Sequence, residues 1–118
     1  MTRTFIETRI FTKRWQELGL TDKELLSLQR TLLRNPDAGI VMQGTGGIRK
    51  VRISFEHRGK SGSARVCYVD FAVYERIYLL TVFAKSEQEN LSDQEKAVLK
   101  KLVGQLRKEA AASEGRKG

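Results

Sequence analysis

From Ile48 to Phe55 apolar and polar positions alternate: Val51, Ile53 and Phe55 fall on one side, Lys50, Arg52 and Ser54 on the other. A period of two marks a strand. The same pattern predicts strands over 64–71 and 76–83, joined by a turn at 72–75. A shorter one is predicted over 4–11, with Phe5, Glu7, Arg9 and Phe11 on one side and Ile6 and Ile10 on the other. Elsewhere the period is helical. Phe11, Trp15 and Leu18 recur at helical spacing and stop at Gly19, a glycine cap. Thr21 with Glu24 and Ser92 with Glu95 form capping boxes, whose side chains satisfy the orphan donors of a helix start. The first opens the stripe Leu25, Leu28, Leu32 and ends at Asn35-Pro36; the second opens Val98, Leu99, Leu102, Val103, Leu106.

The predicted order is β-α-α-β-β-β-α, an α+β fold with an antiparallel-rich sheet and its helices on one face. Those helices would cover Val51, Ile53 and Phe55 and leave the face of Lys50 and Arg52 open. At 118 residues there is one core and one domain, over 1–110, with 111–118 a disordered basic tail that has nothing left to bury.

Composition narrows the classes. Apolar residues make up 40% and charged residues 31%, a soluble profile without a membrane span or a secretory signal, so a cytoplasmic location is expected. Cys67 is the only cysteine and sits in the apolar run "RVCYVDF", which predicts a buried packing residue and excludes an internal disulfide. His57 is the only histidine, which excludes paired-histidine acid/base chemistry and multi-histidine metal sites. Glu7 and Glu56 are isolated, and Glu87 and Glu89 lie beside the last helix; no cofactor and no metal is expected.

Charge changes the picture most. The chain carries +8, from 22 Lys and Arg against 14 Asp and Glu. Between Gln43 and Val66, six cations, Arg49, Lys50, Arg52, Arg58, Lys60 and Arg65, face Glu56 alone, so five of the eight net charges fall in one fifth of the chain. Such a patch calls for an anion, and a phosphodiester backbone is the natural one. The glycines of "QGTGGIRKVRI" do not cradle it: Arg49 stands where a dinucleotide loop needs its last glycine, a strand follows instead of a helix, and the Gly-Lys-Ser/Thr ending of a Walker loop is absent. They are expected to supply positive φ in a turn before the strand. Lys50 and Arg52 point the same way, Arg65 sits on the next strand and Lys85 at the end of the third, so three strands hold four cations around one surface.

"QGTGGIRKVRI", "GKSGSARVCY" and "LLTVFAKSEQENLSDQE", in this order and at these distances, resemble the RelE superfamily of bacterial toxins, and its HigB-type branch in particular. The likeness runs from Phe5 to about Leu106. It implies a type II toxin that enters the ribosomal A site and cleaves the messenger there. A cognate antitoxin of helix-turn-helix type would silence it, with operator DNA bound only through the antitoxin complex. The family's basic site residues correspond to Lys50, Arg52, Arg65 and Lys85, while a tyrosine that some relatives carry after the last strand corresponds to Leu91. RNA can be cut here without histidine, because the nucleophile is the substrate's own 2′-hydroxyl. Arg65, assisted by Arg52, suits the phosphorane oxygens. A lysine among cations gives up its proton more readily, which makes Lys50 the candidate base and Lys85 the candidate acid. Arg49, Arg58 and Lys60 are expected to touch messenger or ribosomal RNA phosphates. Two other classes stay open: a toxin of the same fold that poisons DNA gyrase, and a non-catalytic nucleic-acid-binding module.

Overall fold

The computed structural model describes residues 2–57 and 60–115, the side chains of 56, 57, 60, 61 and 115 excepted. The elements are β1 (Thr4–Glu7), α1 (Arg9–Glu17), α2 (Asp22–Arg34), β2 (Ile40–Val41), β3 (Arg49–His57), β4 (Lys60–Phe71), a single 3-10 turn (Ala72–Tyr74), β5 (Arg76–Ala84) and α3 (Asp93–Gly115). They build one five-stranded sheet in the order β1-β5-β4-β3-β2, parallel between β1 and β5 and antiparallel elsewhere. No helix among the described residues is long and apolar enough to cross a membrane.

Local chemistry sets the boundaries. The first strand stops at Glu7 because Thr8 becomes the N-cap of α1, its hydroxyl accepting from Phe11 N–H at 3.0 Å. Gly19 closes that helix with φ +74, a conformation a side chain would strain. The second capping box forms in full, with Ser92 and Glu95 exchanging bonds of 2.9 and 3.1 Å at the start of α3; at α2 the Thr21 hydroxyl accepts Glu24 N–H at 3.4 Å but donates to the Glu24 carboxylate at 3.1 Å, so only half of the first box forms. β2 is two residues long, too short for a period to reveal. The last helix runs on to Gly115, past the end of the apolar stripe, and fully buried Ala110 shows that packing continues beyond Leu106.

The α+β class holds, but the helices do not lie on one face. α1 and α2 pack Phe11, Trp15, Leu28 and Leu32 against Val66, Tyr68, Ile77 and Leu79. Across the sheet, α3 packs Leu99, Val103 and Ala110 against Cys67, Val69, Tyr78 and Leu80. The signal for this was present in "RVCYVDF" and "IYLLTVF": nearly continuous apolar runs mark strands buried on both faces. One bulge refines the register. Cys67 pairs with Thr81 and Tyr68 with Leu79, so Leu80 has no opposite and the parity of β5 switches. Val82 thereby turns to the α1/α2 core and Phe83 to the α3 side, beside Arg65.

Candidate active site

α3 leaves one end of its sheet face uncovered. There, alternation along β3 presents Lys50, Arg52 and Ser54, and the register sets them directly opposite Cys67, Arg65 and Ser63 of β4. β5 extends these rungs: Thr81 lies opposite Cys67 and Phe83 opposite Arg65. Lys85 follows the strand, its backbone N–H donating to Ser63 O at 3.0 Å. Two arginines thus face each other across a ladder, with a lysine one rung to one side and two serines one rung to the other. Cys67 and Phe83, 0% and 4% exposed, make a dry floor.

The glycine turn aims this strand. Gly44, Gly46 and Gly47 hold φ of +76, +80 and +103, as the sequence predicts for a turn. Thr45, fully buried between them, donates its hydroxyl to Met42 O at 2.6 Å and accepts Ile48 N–H at 3.1 Å, which fixes where β3 begins.

Like charges directly opposite on neighbouring strands destabilise a sheet by about 0.2–1 kcal/mol. No carboxylate among the described residues forms an ion pair with either arginine. The ion pairs there are Arg3–Asp70, Arg14–Glu17, Arg14–Glu87 and Arg49–Asp37, and they leave out Lys50, Arg52, Arg65 and Lys85. Arg65 reaches only its neighbour's carbonyl, Ala64 O, at 3.4 Å, and Arg52 is exposed with no side-chain bond to a described residue. A guanidinium pair held this way keeps its donor forks open.

The segment between β5 and α3, residues 85–92, borders the patch as a braced loop. Glu87 accepts Ala84 N–H at 2.9 Å and pairs with Arg14, whose Nε also reaches Val82 O. Gln88 donates to Asn90 O at 3.0 Å and to Glu95, while Leu91, 6% exposed, sinks into the α3 core. The Ser92 backbone N–H, against a smaller desolvation cost, holds the Glu95 carboxyl below its ordinary value, with Gln88 assisting. From this loop Asn90 Oδ1 accepts a hydrogen bond from Lys50 Nζ. Beneath, burial pushes the Cys67 thiol up to about 12, against a weaker downward pull from Lys50.

Of the residues singled out from sequence, Lys50, Arg52 and Arg65 converge and Lys85 roots at the margin. Arg49 does not join them. It lies on the opposite face, its guanidinium donating to Gly39 O at 2.8 Å and pairing with Asp37 at 3.2 Å, so it ties the α2–β2 connection down. Arg58 and the Lys60 side chain lie outside the described residues. Leu91, where the resemblance places a tyrosine, is a core anchor, and the nearest aromatic on this face, Phe83, is buried. Ser54, Ser63 and Asn90 border the same patch. Strand parity and register carry a signal for the serines, whereas only the fold brings Asn90, 40 residues away, to Lys50. A protein-family model described as the RelE toxin of the RelE/RelB toxin-antitoxin system matches residues 2–114.

Proposed function

We propose that this chain, which belongs to the RelE toxin family and is the toxin component of a toxin-antitoxin system, cleaves messenger RNA in the ribosomal A site. The observation that carries the reading is the Arg52–Arg65 pair, opposed across the β3/β4 ladder with Lys50 beside it and no described carboxylate paired to any of them. In the reaction the ribose 2′-oxygen attacks the adjacent phosphorus, the new O2′–P bond forming as the P–O5′ bond breaks. Lys50, neutral at that moment, takes the 2′-hydroxyl proton and Lys85 gives one to the departing 5′-oxygen. Arg65, with Arg52, holds the phosphorane oxygens in fixed forks that stay charged throughout. The products are a 2′,3′-cyclic phosphate and a 5′-hydroxyl.

The finer features belong to the same proposal: a HigB-type branch, a helix-turn-helix antitoxin that silences the toxin, ribosomal RNA contacts made by cations around the patch, and action in the cytoplasm. Mapping messenger 5′ ends after expression, beside a DNA gyrase supercoiling assay, tests the reading. Wild type is expected to arrest growth and create new 5′ ends within translated frames, and Arg65→Ala to do neither. Growth arrest with intact messengers and inhibited gyrase would replace it with the gyrase-poisoning reading, and RNA binding without cleavage or arrest with that of a binding module.

A further inference from the structure

We infer that Asn90 is a positioning residue of the cleavage site, setting the direction from which Lys50 meets the 2′-hydroxyl; this rests on the nuclease reading above. Lys50 has a flexible four-carbon stem, and a base must approach its proton within hydrogen-bond reach. Asn90 Oδ1, the acceptor its ammonium finds, is the end of a fixed bracket. Gln88 holds the Asn90 backbone carbonyl, Leu91 is buried next to it, and the reciprocal Ser92–Glu95 bonds lock the loop to α3.

The chemistry of the partner matters as much as its place. A neutral amine can still donate one N–H to an amide oxygen while its lone pair faces the substrate. A carboxylate at the same position would favour the ammonium and withhold that lone pair. The molecule uses carboxylates to fix other cations, with Asp37 on Arg49, Asp70 on Arg3 and Glu87 on Arg14, and a neutral amide on Lys50. The charged and titratable groups around Lys50 are Arg52 and Arg65 on the same sheet face, Lys85 at its margin, and the Cys67 thiol directly opposite. From α3 come Glu95, engaged by Ser92 and Gln88, and Lys100, whose stem lies over the Gly46 turn. Asn90 adds no charge to this set.

The test is single-turnover messenger cleavage on programmed ribosomes across pH, with affinity measured separately on a messenger carrying 2′-deoxyribose at the cut site. Asn90→Ala is expected to lower the rate about a hundredfold at every pH, the cost of misplacing a reacting group by about 1 Å, with affinity unchanged. Asn90→Asp, which keeps the acceptor, is expected to recover the wild-type rate only at higher pH, its profile displaced upward by about one unit or more. Wild-type rates for Asn90→Ala, or an unmoved profile for Asn90→Asp, would overturn the inference while Lys50→Met remains inactive and the nuclease reading stands. A fully active Lys50→Met would overturn Lys50 as base and Asn90's role with it. Absence of cleavage by wild type would defeat both.

Discussion

The proposed reaction sets stability against use at Arg52 and Arg65. Directly opposed across the ladder, they repel, and no described carboxylate separates them. Arg52→Gln should therefore raise the thermal midpoint by a few degrees, from relief of about 0.2–1 kcal/mol, while lowering messenger cleavage about a hundredfold or more through the lost oxyanion donor. Calorimetry beside a cleavage assay checks both, and a variant that is less stable or equally active would show that the pair is not strained for function. Cys67 has the opposite character, inert and structural. Its thiol is raised from 9.0 to about 12 by burial, so between those values the unfolded chain releases a proton that the folded one keeps. Its contribution to stability is full below pH 9 and is lost as pH rises through that window. Chemical denaturation from pH 8 to 11 should show this fall in wild type and a shallower one in Cys67→Ala.

At the scale of elements, the site depends on supports that carry no chemistry themselves. Tyr68 of β4 accepts Gly39 N–H at 2.9 Å and donates to Pro36 O at 2.7 Å, pinning the connection from α2 into β2. β2 then pairs Ile40 with Lys50, so the tyrosine acts on the start of the strand that carries Lys50 and Arg52. The contact is close: a Cβ on Gly39 would meet the Tyr68 ring at 2.9 Å and Lys50 O at 3.0 Å. Tyr68→Phe leaves a buried donor and acceptor unpaired and should cost about 2 kcal/mol, with faster amide exchange concentrated at 39–42. Uniform exchange across the sheet would contradict this support. The elements themselves were legible wherever a period or a cap marked them, as at Thr21, Ser92 and the alternating Val51–Ile53–Phe55. β2 was not, because two residues have no period, and neither was the Leu80 bulge, because Tyr78, Leu79 and Leu80 follow one another with no polar position to mark a change of parity.

At the scale of the whole molecule, helices on both faces decide what remains open. α1 and α2 seal one side, α3 seals most of the other, and the exposed margin is where the cations of β3 and β4 meet. Sequence alternation was enough to gather Lys50, Arg52 and Arg65, since side-chain direction on a strand follows from parity alone. The same parity sets Arg49 on the other face, where it meets Asp37 and Gly39, a partnership that charge counting cannot see. Asn90 lay beyond reach because a loop residue has no period to betray its direction. The opposed arginines are proposed to serve a cleavage reaction and not merely to form a basic surface. Single-turnover cleavage of a messenger in the A site of programmed ribosomes, by wild type and by Arg65→Ala, distinguishes the two. Wild type is expected to give a 2′,3′-cyclic phosphate product and the variant to cleave about a hundredfold or more slowly. Equal rates for the two proteins would contradict the proposal.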